Sequence, residues 1–82
     1  MEHNMKIEKN IQLSTVEVVK DFVNAISVFE CEVDLRSERY CVNGKSIMGI
    51  FSLDLSRPIK LEADVDDKTQ ADFLKAVEPY CI

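Results

Sequence analysis

Apolar and polar residues alternate with a period of two in three stretches of the chain, which is the pattern of a half-buried β-strand. The stretches are residues 5–11, 31–35 and 59–65, and the last of them has the cleanest alternation. A polar break at 37–39 separates the second stretch from residues 40–43, which we interpret as a returning strand of a hairpin. The pattern therefore predicts four strands.

Apolar residues spaced three and four apart predict two longer helices. Ser14 followed by Glu17 has the spacing of a capping box, so the first helix should begin at Ser14, and its apolar stripe ends near Phe29. The last helix should be capped by Asp66 or Asp67. The stripes expected to be buried are Val16, Val19, Phe22, Val23 and Ile26 in the first helix, and Phe73, Ala76, Val77 and Tyr80 in the last.

A third, short helix is predicted between the hairpin and the last strand. Asn43-Gly44 changes the chain direction, and Ser46 is suited to cap a helix that runs through Ser52. Its four large apolar residues are more than one short helix can bury, so some should be exposed as a docking patch, with Ile50 and one other packed in the core. They are Ile47, Met48, Ile50 and Phe51.

The element order is therefore β-α-β-β-α-β-α, in a single domain covering residues 1–82. Strands that are apolar on one side only can bury that side when helices cover one face of the sheet. We therefore expect an α+β fold with three helices on one face of a largely antiparallel four-stranded sheet. The pattern alone is equally compatible with a ferredoxin-like split βαβ fold.

Composition and charge narrow the classes of partner. The formal net charge of -5, with scattered lysines and arginines, does not provide the basic stripe that nucleic acid requires. No apolar run is long enough to span a bilayer and the start of the chain has no apolar segment of the kind a signal peptide carries, so we expect a cytoplasmic protein that binds no membrane.

Cysteine and histidine are too sparse for a metal site. Cys31, Cys41 and Cys81 are odd in number and form no CxxC pair, so we expect small buried or half-buried thiols, no metal and no cofactor. His3 is the only histidine and precedes the first predicted strand, where we expect an ordinary solvated side chain.

Residues 45–53, KSIMGIFSL, resemble the regulatory serine motif of HPr proteins, the phosphocarriers of the bacterial sugar phosphotransferase system. The likeness extends to the strands at 31–35 and 59–65 and to the last helix. The resemblance implies the open-faced β-sandwich of HPr. It also implies that Ser46 is a regulatory phosphorylation site and that Lys45, Ile47, Met48 and Phe51 bind partner proteins.

The resemblance also indicates which chemistry this chain lacks. In HPr proteins a histidine that carries the phosphoryl group and a nearby arginine lead into the first helix. The matching stretch here is residues 13–18, LSTVEV, in which Thr15 and Glu17 stand at those two positions. An alcohol needs a base and forms a stable ester, whereas imidazole forms a labile N–P bond. The resemblance thus predicts no catalytic residue and no enzyme activity.

Three functions remain open. The first is a regulatory or adaptor protein, similar to the catabolite-repression paralogue of HPr, whose partners would be an HPr-type serine kinase and a transcriptional regulator or phosphotransferase-system component. The second is a working phosphocarrier. The third is a diverged interaction module that uses residues 13–18 to recognise an unrelated partner.

Overall fold

The computed structural model describes residues 4–38 and 40–82 of the chain. Four strands and three α-helices follow one another in the predicted order, and a short 3-10 helix follows the last of them. The elements are β1 (Asn4–Ile11), α1 (Val16–Ser27), β2 (Val33–Ser37), β3 (Tyr40–Asn43), α2 (Ile47–Phe51), β4 (Ile59–Asp66), α3 (Gln70–Val77) and the 3-10 helix Glu78–Tyr80.

The strands form one antiparallel sheet in the order β1-β4-β2-β3. The predicted strands and hairpin are confirmed, although β2 begins at Val33 instead of Cys31, because Val33 is the first residue that pairs with β4. Ser37 pairs with Tyr40 across the hairpin, and Glu38 in the turn has a φ of 49°. The register of β1 on β4 is continuous from one end of β1 to the other, without a bulge.

One face of the sheet packs against the helices and the other carries charged side chains. Along β4 the buried residues are Ile59, Leu61, Ala63 and Val65, as the alternation predicts. They pack with the buried stripe of α1, which comprises Val19, Phe22, Val23 and Ile26. Tyr80 packs edge to face on Phe22, with the ring centres 5.3 Å apart.

Both predicted starts of the long helices are wrong. Thr15, not Ser14, has the extended backbone of the N-cap and accepts the hydrogen bond from Val18. At the other helix the N-cap is Thr69, while Asp66 accepts a 2.8 Å hydrogen bond from the backbone N–H of Thr69 and so closes the turn before the helix. In each case two or more residues competent to cap lie close together, and tertiary position selects among them.

The C-terminus returns to the first strand. The backbone N–H of Gln12 donates to the carbonyl of Tyr80 at 2.9 Å, and that of Ile82 donates to the carbonyl of Asn10 at 3.0 Å. Cys81 forms an isolated bridge with Ile11. No helix in the described ranges is long and apolar enough to cross a membrane.

The cysteines are unpaired thiols with different exposure. Cys31 and Cys81 are half-buried, as expected, but Cys41 is exposed. The prediction is therefore wrong for Cys41, because β3 is an edge strand whose side chains receive little cover. His3 lies outside the described residues.

Candidate functional site

The first part of the candidate site is the start of α1. Leu13 is fully buried and anchors the chain, and Thr15 then turns it into the helix. The Oγ1 of Thr15 accepts from the backbone N–H of Val18 at 3.1 Å, which satisfies one of the unpaired donors at the helix end. Because the cap is Thr15, the third helical residue is Val18, which has no polar side chain to return the bond. The predicted capping box between Ser14 and Glu17 therefore does not form.

Two exposed residues of opposite character follow the cap. Val16 is 54% exposed, so the prediction that it is buried is wrong: as the first residue after the cap it lies outside the buried stripe of α1. Glu17 is exposed in the first turn. Glu17 forms no ion pair with any residue in the described ranges. A carboxylate in the first turn is favoured by the helix dipole, so Glu17 suits this position without a partner.

The second part of the candidate site is the start of α2. Ser46 is half-buried and has the extended backbone of an N-cap, as predicted, and its Oγ accepts from the backbone N–H of Gly49 at 3.1 Å. At the other end of the helix the hydroxyl of Ser52 donates to the carbonyl of Gly49 at 2.6 Å. The two serines thus fix both ends of a helix of five residues.

The turn before Ser46 holds this helix close to β2. The N–H of Gly44 donates to the carbonyl of Val33 at 2.7 Å, and a Cβ on Gly44 would lie 2.8 Å from a side-chain carbon of Val33. Only glycine fits there without displacement. Asn43 closes the turn by accepting from the N–H of Lys45 at 2.8 Å.

The sequence predicts that Lys45 binds partners, and in the structure Lys45 is half-buried. Its Nζ donates to the backbone carbonyl of Phe29, just after α1. This contact joins residues 16 positions apart, so no local sequence pattern indicates it. The side chain of Lys45 links α2 to α1.

The apolar residues of α2 divide between core and surface. Ile50 is fully buried and Ile47 is half-buried against the core, whereas Met48 is 81% and Phe51 39% exposed. The expected division between core and surface is therefore present.

The two helices run in opposite directions. Lys45, before α2, contacts Phe29 after α1, and the side-chain amide of Gln12, before α1, lies 3.5 Å from the carbonyl of Ser56 after α2. Val16 at the start of α1 and Phe51 at the end of α2 therefore lie towards the same end of the molecule. We call the exposed residues Met48 and Phe51, three positions apart on α2, the apolar patch.

A separate acidic cleft lies at the other end of α1. Its volume is about 700 Å³, and its lining includes Glu30, Asp64, Asp66 and Asp72 together with the half-buried Cys31. Burial raises the pKa of the Cys31 thiol above 9.0, which disfavours the thiolate form that binds metals. Across the two described ranges, no three histidine, cysteine, aspartate or glutamate side chains are arranged to hold a metal ion.

Comparison with known proteins agrees with this architecture. The model of the family described as "PTS HPr component phosphorylation site" matches residues 6–81. The fold is similar to that of the phosphocarrier protein HPr from Bacillus anthracis str. Ames, with a TM-score of 0.70, 21% identity and coverage of 96% of this chain and 98% of that one.

A second solved structure, HPr-C-His from Thermoanaerobacter tengcongensis, is similar with a TM-score of 0.64, 28% identity and coverage of 93% and 91%. A search of curated proteins found no match.

The sheet order and the two capped helices define an open-faced α+β sandwich with helices on one face. The family model covers nearly the whole of that fold. The chain belongs to the HPr family.

Proposed function

We propose that this protein is a regulatory or adaptor member of the HPr family, without the phosphoryl-carrying histidine, that switches partners when Ser46 is phosphorylated. The observation that supports it most directly is the position of Ser46, whose hydroxyl caps α2 two residues before the 81% exposed Met48. A charge added at Ser46 would therefore lie beside the apolar patch. In this proposal the protein is not an enzyme, acts in the cytoplasm and is one domain.

The capping geometry allows Ser46 to be modified without loss of the fold. A phosphoserine carries about -1.5 to -2 charges and three acceptor oxygens. The Ser46 oxygen already accepts from the N–H of Gly49, so phosphate oxygens attached to it would lie close to that N–H and to the other N–H groups of the first helical turn, which have no intrahelical partner. Phosphorylation should act on partner binding and leave the fold intact.

The start of α1 supports the absence of phosphoryl transfer. The only histidine of the chain is His3, and we place Thr15 and Glu17 at the positions that the resemblance assigns to the histidine and arginine. The Thr15 oxygen is engaged as a helix cap. A carboxylate about 4 Å from a phosphate repels it by roughly 4 kcal/mol per charge pair at an effective dielectric near 20. The helix N-terminus stabilises an anion by only about 1 kcal/mol, which is less than this repulsion.

A phosphocarrier function is the second candidate, because one of the two similar structures is a phosphocarrier protein HPr and the family description names a phosphorylation site. Incubation with phosphoenolpyruvate and enzyme I distinguishes the phosphocarrier function from the regulatory function. We expect no acid-labile, base-stable phosphate on the protein. Labelling of wild type that is lost in His3→Ala would make His3 the nucleophile and reject the regulatory proposal.

Within the regulatory proposal, the partners are an HPr-type serine kinase and a transcriptional regulator or phosphotransferase-system component. Met48 and Phe51 supply the apolar contact, and Ile47 supports them from its half-buried position. Lys45 contributes by holding α2 against α1 through Phe29. A partner unrelated to the phosphotransferase system would instead be expected to depend on residues 13–18.

The kinase reaction is tested by mass spectrometry with ATP and an HPr-type serine kinase. Wild type should gain one phosphate and Ser46→Ala should gain none. Ser52→Ala is the matched control, because Ser52 is an exposed serine at the other end of the same helix. Equal phosphate uptake by wild type and Ser46→Ala contradicts the proposal.

Partner switching is tested by pull-down with Ser46→Asp against wild type. The added charge should release a partner that binds Met48 and retain or gain one that presents arginines, since charged hydrogen bonds favour arginine. Met48→Ala should weaken the binding of the first partner. Identical partners for wild type and Ser46→Asp would exclude this mechanism.

A further inference from the structure

The outer edge of β1 carries backbone groups with no partner in the described part of the chain. Asn10 directs its carbonyl to Ile82 and Gln12 directs its N–H to Tyr80, both away from β4. Backbone groups alternate in direction along a strand, and β1 pairs with β4 without a bulge. The N–H and C=O groups of Lys6 and Glu8 therefore also point outward. The C-terminal residues cover the edge only from Asn10 onward.

An exposed strand edge of this kind is a template for another strand. We propose that a second copy of this chain pairs with it, β1 against β1, in a two-fold antiparallel arrangement centred on Ile7. In that register Ile7 lies opposite Ile7 of the other copy, and residues equally far before and after Ile7 face each other. Lys6 of one copy therefore lies opposite Glu8 of the other. These are the two residues whose backbone groups point outward, so the register forms four intermolecular hydrogen bonds.

The charges of Lys6 and Glu8 favour the register centred on Ile7 over the registers centred on Lys6 or Glu8. Lys6 and Glu8 project from the charged face of the sheet and are 61% and 47% exposed at their side chains. Centring the two-fold axis on Lys6 would oppose two lysines, and centring it on Glu8 would oppose two glutamates. Opposite charges directly across an antiparallel pair attract and like charges repel. Only the axis at Ile7 matches both charges at once.

The helix side of the same edge also fits a second copy. In the proposed register Met5, which is 43% exposed, lies opposite Lys9 of the other copy. Lys9 lines a cleft of about 390 Å³ whose apolar lining includes Ala71 and Leu74 of α3. Two-fold symmetry places a methionine at each of the two clefts.

The other edge of the sheet lacks these features. Strand β3 has four residues, Tyr40–Asn43, none of which is charged. Short edge strands offer few hydrogen bonds to a neighbour. The self-complementary edge is therefore β1.

The test uses charge reversal and sedimentation equilibrium over a concentration series at low salt. Wild type should shift from 9.4 kDa towards twice that mass, and added salt should weaken the association. Lys6→Glu and Glu8→Lys should each remain monomeric, because each opposes like charges in a homodimer. A mixture of the two variants should dimerise, since every opposed pair is then of opposite sign.

Lys20→Glu, an exposed charge reversal on α1, should dimerise as wild type does. Amide exchange on wild type should show the N–H groups of Lys6 and Glu8 becoming protected as concentration rises. A wild type that is monomeric up to about millimolar concentration overturns the proposal. So does a dimer that survives both single reversals, including one made by exchange of β1 between copies.

Discussion

The Oγ1 of Thr15 accepts a hydrogen bond from the backbone N–H of Val18, three residues along the chain. The adjacent Ser14 is exposed, and no side-chain hydrogen bond from it occurs within the described ranges. The N-cap of α1 is therefore one residue later than the spacing of Ser14 and Glu17 suggests.

Thr15→Ala should lower the free energy of unfolding by about 1 kcal/mol, because an N-terminal donor of α1 loses its partner. Ser14→Ala is the matched control and should change the stability by less than about 0.5 kcal/mol, as for an ordinary surface position. Urea unfolding of both variants measures the difference. A larger loss in Ser14→Ala than in Thr15→Ala would assign the cap to Ser14 after all.

Gly44 and Gly49 should respond differently to alanine. A Cβ on Gly44 would lie 2.8 Å from Val33, so Gly44→Ala should cost about 1 to 3 kcal/mol through displaced neighbours. At Gly49 the nearest atoms would be 3.3 Å away, and a helical alanine is favoured over glycine by up to about 1 kcal/mol.

Gly49→Ala should thus stay within about 1 kcal/mol of wild type. Unfolding midpoints in urea compare the two variants at unchanged slope. Equal destabilisation of both would mean that the close approach of Gly44 to Val33 is readily relieved.

The alternation of residues was sufficient to predict the strands, whereas the caps depended on the tertiary structure. In β4 every second residue from Ile59 is apolar, and one buried face accounts for this pattern fully. At the start of α1 two adjacent hydroxyl residues can both cap, and the local pattern does not distinguish Ser14 from Thr15, which is the cap in the folded chain.

In the candidate site, too, the local features were predictable from the sequence and the contacts between elements were not. Ser46 stands alone before an apolar run, so its capping role followed from the sequence. The contact of Lys45 with Phe29 depends on how α2 packs against α1, which no local pattern encodes.

Acid should destabilise the protein partly through Asp66. Hydrogen bonds from Thr69 lower the pKa of the Asp66 carboxyl below 3.8. A carboxyl with a lower pKa in the folded state contributes stability above its unfolded pKa, and this contribution is lost as the pH falls through the folded value.

Asp66→Asn should therefore lose less stability than wild type when the pH is lowered from about 5 to about 2. The neighbouring Asp67→Asn is the control, since Asp67 accepts no side-chain hydrogen bond from the described residues. Urea midpoints at several pH values measure the slopes. Parallel curves for Asp66→Asn and wild type would show that the bonds to Thr69 are absent in solution.

The three thiols should react in a defined order, with Cys41 first. Cys41 is exposed on edge strand β3, whereas Cys31 and Cys81 are half-buried. Burial raises the pKa of Cys31, so less of it is in the reactive thiolate form at neutral pH. The thiol of Cys81 also donates to the carbonyl of Val77 at 3.4 Å, which holds it towards the protein.

A chromogenic disulfide reagent at neutral pH should therefore give one fast phase with a third of the absorbance of the unfolded protein, which exposes all three thiols. Cys41→Ser should remove the fast phase and Cys31→Ser should leave it. A fast phase that persists in Cys41→Ser would mean that Cys31 or Cys81 is more accessible than its position in the fold implies.

The raised pKa of the Cys31 thiol also makes folding less favourable at high pH. The folded thiol resists ionisation, so the free energy of unfolding falls as the pH rises above the unfolded pKa of 9.0. Cys31→Ser should reduce this loss of stability at alkaline pH.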